Sequence, residues 1–401
     1  MSIKKENLVR APLKNKKFFY IGLSFKWGTL ERKIICDCLS AQKAGADVFL
    51  YTFRDSAIDL HAKREGIECI YHHGLVATNF VKWHKLKFVS KLLKKHSIDL
   101  VHCYDIKILW PLCYFLKSKP LIPLVLTLTR DLDRVYRGFW YRPLNRRIDQ
   151  VFITTEDMNE NVWGNLGIPA TKVSEVGLGI SKTTETEKRD KPFFKFSDDR
   201  WYLGTNLSGV ETSIKFLDTL FQALKVLTQN KIADKEITFV LGSEKNWNEC
   251  LITDELRGKV KDWGLEQFVA FMGPCEIQDF QQDLDLWVSL KDDGPLEDYG
   301  LGALVNGIPA LLPKTTAAME LLKSSKNGFT ALYRQSDARS LRKQCEEVLS
   351  NYSEHKKVVL SDSEDYFSQF GLESYEIRLS KSYHQLIKRR LRLMRSKVSK
   401  I

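Results

Sequence analysis

Residues 283–328 read DLDLWVSLKDDGPLEDYGLGALVNGIPALLPKTTAAMELLKSSKNG, and the order of apolar, glycine and polar runs in this stretch decides the fold. Leu284, Leu286, Trp287 and Val288 make a short apolar strand behind an acidic residue. A polar, glycine-bearing loop from Lys291 to Gly300 follows, and a small-residue helix from Leu301 to Asn306 stops at Gly307. After Pro309 a second buried strand, Ala310 to Leu312, leads to a helix start at Thr315/Thr316 and a turn at Asn327-Gly328. Strand, loop, helix, strand, loop, helix is a crossover unit of a parallel sheet. Its loops lie beyond the carboxyl ends of the strands, where open α/β sheets bind ligands.

The same alternation runs through the rest of the chain. Phe18 to Leu23 reads as a first strand, followed by a loop containing Gly28 and a helix from Leu30 to about Ala44 that Gly45 ends. Strands follow at 48–51, 67–71, 98–102, 123–127 and 150–153, each trailed by a helical or loop segment. The polar stretch Ser181 to Phe196 is read as a linker. A second alternating set begins at Trp201 to Gly204, continues through a helix with Ile214, Leu217, Leu220, Phe221 and Leu224 on one stripe, and adds strands at 237–242 and 268–273. The expected division is a first domain over 1–180, a linker over 181–197, a second domain over 198–374 and a basic helix over 375–401.

The motifs resemble those of the retaining GT-B glycosyltransferases of the family-4 type. Leu301-Gly302-Ala303-Leu304-Val305-Asn306-Gly307-Ile308-Pro309-Ala310-Leu311, with Glu320 and Asn327-Gly328, is similar without a gap to the family's nucleotide-sugar segment. Arg146 to Thr155 and Gly167 to Val173 resemble its R-x-A-D-x-V and G-I-P-x-x-K-V segments, and Gly28 to Arg32 its glycine loop. The resemblance implies an α/β GT-B fold, two doubly wound Rossmann-like domains facing a cleft. It also implies stereochemical retention and transfer of a sugar from a nucleotide-sugar co-substrate, with no cofactor and no metal. Helix N-termini near Leu301 and Thr315 would stabilise the departing diphosphate.

That resemblance carries residue roles and departures from them. In the gap-free register the family's two glutamates fall on Gly294 and Gly302; matching Glu297 to the first deletes three helix residues and puts Val305 at the second. Glu297 is thus the candidate catalytic carboxylate, and the second carboxylate is missing in both alignments. Where the family has a G-R-x-x-x-x-K-G pattern the chain has Gly204-Thr205-Asn206-Leu207-Ser208, so Thr205, Asn206 and Ser208 would hold phosphate through neutral groups. Lys291 and Lys314 on neighbouring loops are candidates to replace the lost charge. Tyr299, Gly300, Leu301, Gly302, Thr315, Thr316 and Glu320 complete the donor set, and Gly28 and Thr29 the acceptor-side loop. After the fourth strand the family's H-x-H becomes His102-Cys103-Tyr104-Asp105. Tyr104 takes the active-site place, Asp105 is a candidate polar contact, and His102 is either the first histidine of the motif or a bonded core residue.

Composition bounds the partners. The 401 residues carry 43% hydrophobic and 28% charged side chains, the balance of ordinary globular cores. No apolar run approaches the roughly 20 residues that span a bilayer, and the N-terminus has no signal-peptide core. The eight cysteines are scattered through apolar surroundings, which fits reduced thiols in the cytoplasm. Neither they nor the two D-x-D strings, Asp131/Asp133 and Asp283/Asp285, have the spacing and setting of a metal site. A net charge of +12 points to nucleic acid, an anionic membrane or a phosphorylated substrate as a partner, with solubility alone as the alternative. No nucleic-acid module is present. Two basic amphipathic segments, 81–96 and 386–400, are the candidates for an anionic membrane surface, where a glycan or lipid-linked acceptor would be met, with a packed helix and solvated face as the alternative for each.

Overall fold

The computed structural model describes residues 12–25, 27–72, 87–182, 197–207, 214–243, 253–273, 275, 277–290, 298–324 and 331–398. Ser208, Lys291 and Glu297 lie outside the described residues, as do 81–86 and the Asn327-Gly328 turn. The chain divides into two units, Met1–Gly179 with Leu372–Ile401, and Ile180–Gly371.

The first unit runs β1 (Lys17–Ile21), α1 (Thr29–Lys43), β2 (Asp47–Thr52), α2 (Ala57–Arg64), β3 (Glu68–Tyr71), α3 (Lys87–Lys95), β4 (Leu100–Cys103), α4 (Ile106–Leu116), β5 (Leu124–Leu128), α5 (Arg142–Asn145), β6 (Gln150–Ile153), α6 (Met158–Leu166) and β7 (Val173–Glu175). All seven strands are parallel, in the order β3-β2-β1-β4-β5-β6-β7. The central strands are apolar on both faces because helices cover both. Phe18 and Tyr20 face the layer holding α1 and α2, while Phe19 and Ile21 face α3, α4 and α6. The six strands expected here are present. The seventh, β7, is short and only half-buried, so it has no apolar run to mark it.

The second unit runs β8 (Arg200–Asn206), α7 (Ile214–Leu227), β9 (Glu236–Gly242), α8 (Thr253–Asp262), β10 (Val269–Met272), α9 (Ile277–Gln281), β11 (Leu286–Val288), α10 (Asp298–Val305), β12 (Ala310–Pro313), α11 (Thr316–Ser324), β13 (Ala331–Tyr333), α12 (Ala338–Ser350) and α13 (Tyr352–Phe370). Its parallel sheet has the order β10-β9-β8-β11-β12-β13. One core packs Leu217, Leu220, Phe221 and Leu224 of α7 against the sheet, as the stripe requires. Two glycines are fixed by space. A Cβ on Gly204 would sit 2.4 Å from a methyl of Leu284. Gly307 ends α10 at φ +71° with Leu360 against it, so a side chain there would meet both backbone strain and a clash.

The chain then returns to the first unit as α14 (Leu372–Val398). Tyr375, Leu379, Tyr383, Leu386 and Ile387 are buried in the core that holds Phe18, Tyr20, Leu100, Val125 and Phe152. Further along the helix, Arg390 pairs with Asp149. The apolar side of this basic segment is therefore spent on the sheet up to that point. In α3 likewise, Val89, Leu92 and Leu93 are buried while Lys91, Lys94 and Lys95 are exposed. Both segments take the packed-helix alternative in their described parts. Among the described residues no helix is long and apolar enough to cross a membrane.

Candidate functional site

In each unit the strand order reverses beside its first strand, which places a crevice between β1 and β4 and another between β8 and β11. In the first unit the loops after β1 and β4 open there. Gly28, in extended conformation, caps α1, and its carbonyl accepts from the Arg32 amide at 3.0 Å. Gly28 and Thr29 are half-buried at the helix N-terminus. Asp105 caps α4, its carboxylate accepting from the Lys107 amide at 2.7 Å, and burial raises its carboxyl above the ordinary range. A cap already holding one hydrogen bond is a positioned polar group at the strand end.

Tyr104 departs from the place expected of it. It is buried on the side of the sheet that faces α1 and α14, and its hydroxyl donates to Asp37 at 2.5 Å. Asp37 also accepts from Tyr375 and from Lys33, whose Nζ lies 3.1 Å away. His102, two residues earlier and so on the same face, pairs through Nδ1 with the Tyr383 hydroxyl at 2.7 Å and through Nε2 with the Thr127 hydroxyl at 2.6 Å. Burial first, and then the Lys33 charge, holds its pKa well below the usual imidazole range. Burial likewise raises the Asp37 carboxyl in spite of Lys33. This cluster of Lys33, Asp37, His102, Tyr104, Tyr375 and Tyr383 fastens α14 to α1 and β4. It is a satisfied core network rather than an open reaction centre, and of the two readings of His102 it matches the bonded core residue.

In the second unit, Thr205 and Asn206 end β8 beside Ser289 at the end of β11. Thr205 is 0% exposed, and its hydroxyl has no hydrogen-bond partner among the described residues. The Trp287 indole N–H and the Gln281 carbonyl oxygen are in the same condition. Gln281 donates its amide to the Tyr299 carbonyl at 2.8 Å, and its free oxygen lies 3.6 Å from where a Cβ on Gly302 would stand. Tyr299, Gly300, Leu301 and Gly302 are all buried in the first turns of α10. Thr315 caps α11, accepting from the Ala318 amide at 3.1 Å. Thr316 and Lys314 are exposed and Glu320 half-buried. Sequence reasoning read Trp287 only as a strand residue and passed over Gln281. The one signal for Gln281 was a polar side chain at a buried helix position.

The D-x-D strings are structural where the structure describes their bonds. Asp283 lies in the turn after α9, and the Asp285 carboxylate accepts from the Tyr202 amide at 2.9 Å. Among the described residues no group of three or more histidine, cysteine or acidic side chains is placed to hold a metal.

Comparison with known proteins gives this geometry a context. Residues 38–183 match the sequence profile of Glycosyltransferase Family 4. No curated protein matches the sequence. Among solved structures, a glycosyltransferase from Rickettsia africae is 14% identical with a TM-score of 0.73, over 93% of this chain and 99% of that one. HepE of Anabaena, solved in complex with UDP, is 16% identical with a TM-score of 0.69, over 92% of this chain and 100% of the other. Sucrose-phosphate synthase from Thermosynechococcus elongatus is 12% identical with a TM-score of 0.68, over 93% and 100%. At these identities the likeness shows the fold. The two doubly wound units have the GT-B fold that the motifs implied.

Proposed function

We propose that this chain, with a family-4 profile on its first unit and the GT-B fold over almost all of its length, is a glycosyltransferase. It would take a sugar from a nucleotide-sugar and pass it, with retention, to a glycan or lipid-linked acceptor at the cytoplasmic face of a membrane. The observation that carries the reading is the β8/β11 crevice of the second unit. There a fully buried threonine hydroxyl with no partner among the described residues, Thr205, lies at the place where an α/β sheet receives a ligand. A buried unsatisfied hydroxyl costs about 1–3 kcal/mol, and a bound phosphate or ribose oxygen would remove that cost. Work at such a site is positioning and charge stabilisation: α11, capped by Thr315, would turn its N-terminal dipole to the diphosphate, with Lys314 beside it. Glu297 would be the carboxylate at the reacting sugar, and Lys291 and Ser208 would complete the donor contacts.

The same crevice favours a second reading. The position that holds arginine in the family is a neutral, buried threonine, so a GT-B protein that binds a glycan or a partner without catalysis is the alternative. Calorimetric titration with UDP, GDP, ADP and their hexose conjugates separates the two. Micromolar binding of one nucleotide, weakened roughly fivefold or more by Thr205→Val, is the expected outcome. The same substitution should leave thermal stability unchanged or raised, because it deletes an unsatisfied polar group. No binding to any nucleotide by the folded protein would sink the transferase reading and leave the silent one.

A further inference from the structure

Among the described residues of the first unit, the most exposed aromatic side chains lie in neither of the two basic segments that the sequence marks for a membrane. Phe139 is 82% and Trp140 80% exposed, side by side at the tip of the loop between β5 and α5. Val135 and Trp163 are exposed nearby in the chain and on α6. Five arginines, Arg130, Arg134, Arg137, Arg142 and Arg146, fall from this loop to just past α5 against two aspartates, Asp131 and Asp133, while Arg147 beyond them pairs with Asp149. Arg134, Arg137, Arg142 and Arg146 are exposed and have no carboxylate partner among the described residues. A cavity of about 440 Å³ opens beside α5, lined by Arg137, Arg142, Arg146, Lys172 and Trp163.

The tip is held by its base. The Tyr136 amide donates to the Asn165 carbonyl at 2.6 Å. Asn145 donates to the carbonyls of Tyr136 and Leu166 at 2.8 and 2.7 Å. The rings of Tyr136 and Tyr141 pack on Trp110 at 5.5 and 5.1 Å between centroids. Between these two anchored tyrosines the chain turns, the amides of Tyr141 and Arg142 both donating to Gly138, and this turn thrusts Phe139 and Trp140 outward. Exposure of the two rings is thus imposed by a built loop. Aromatic rings flanked by unpaired arginines are the chemistry of the interface between water and anionic lipid: the rings enter the headgroup level and the guanidinium groups pair with phosphates.

We infer that the tip Val135–Arg142 is a docking surface for an anionic phospholipid bilayer, with Phe139 and Trp140 as the inserted side chains and the arginine-lined cavity taking a lipid phosphate. This deepens the proposed membrane-face reading by naming the surface that meets the bilayer. Vesicle binding is read with neither donor nor acceptor present, so a failure here and a failure of nucleotide binding are separate results.

The test is co-sedimentation of the full chain with phosphatidylcholine vesicles and with vesicles that also carry phosphatidylglycerol. Binding should require phosphatidylglycerol and fall as salt is added. Phe139→Ala/Trp140→Ala should weaken it roughly tenfold or more, and Arg137→Gln/Arg142→Gln on the order of tenfold. The arginine pair also decides the matter should the aromatic pair fail to fold. Four results would each overturn the inference: no vesicle binding, equal binding to both lipid mixtures, undiminished binding of either double variant, or loss of self-association in the aromatic variant without any vesicle binding. The last would make the tip an interface between copies of the chain.

Discussion

Single residues in the first unit matter chiefly through what burial does to them. His102 is enclosed by Thr127, Tyr104 and Tyr383, with Lys33 and Asp37 close by, and its folded pKa lies well below 6.5. Below about pH 6.5 the unfolded chain takes a proton at this position that the folded chain refuses, so His102 adds stability at neutral pH that is lost as pH falls. Asp37 works in the opposite sense. Its raised carboxyl makes the folded state the better proton acceptor above the ordinary aspartate range, so its contribution weakens as pH rises. The two must be separated by a variant. Urea unfolding of His102→Gln, compared with the parent between about pH 5 and 7, should lack up to about 1.4 kcal/mol per pH unit of the parent's rise in stability. Parallel curves for the two proteins would show that His102 is not held neutral.

At the scale of elements, α14 is where legibility in the sequence divides. The strands around both crevices could be read from short apolar runs such as Phe18–Ile21 and Ala310–Leu312, because a strand buried on both faces has no polar alternation to confuse it. The half-buried β7 and the three-residue β13 lacked that run and were not read. For α14 the alternation of charge and apolar residues was plain, but whether lipid or sheet covers the apolar side is a tertiary fact. Tyr104 shows the same limit: the H-x-Y spacing put it on one face of β4, yet only the arrival of Tyr375 and Tyr383 decided that this face is closed. The β8/β11 crevice was marked in the sequence by its glycines and caps, while Gln281 and Trp287 emerged only from buried atoms that have no partner among the described residues. The clasp itself is testable. Tyr375→Phe removes a hydroxyl shared by Lys33 and Asp37 and should cost about 1.5–3 kcal/mol. Leu386→Ala should cost about 2–5 kcal/mol. Lys388→Ala, on the exposed side of the same helix, should stay within about 0.5 kcal/mol. Thermal melts that ranked Lys388→Ala as the most damaging of the three would contradict the assigned packing of α14.

For the molecule as a whole, the return of α14 makes the first unit discontinuous in sequence and the second continuous. Each sheet has its own core, and the core around Tyr20 is completed by five side chains that arrive only after residue 371: Tyr375, Leu379, Tyr383, Leu386 and Ile387. A fragment of residues 1–179 therefore leaves a large apolar strip on Phe18, Leu100, Val125 and Phe152 facing water, and it removes the Tyr375 and Tyr383 hydroxyls that complete the Asp37–His102 network. At about 25 cal/mol per Å² of apolar surface, exposing such a strip costs more than the few kcal/mol by which a domain of this size is stable. Residues 180–371, in contrast, contain every strand of their own sheet and the helices α7, α8 and α12 that cover one face of it. Expressed separately, 180–371 should be soluble and show a cooperative thermal transition, while 1–179 should aggregate or stay uncooperative. Co-expression of 1–179 with 372–401 should restore a cooperative transition in the first fragment, and charge reversal at Arg390 in the added helix should weaken that rescue. A cooperative, soluble 1–179 without the helix would mean that α14 covers the sheet without contributing to its stability, and the order of assembly would have to be argued again from the strands alone.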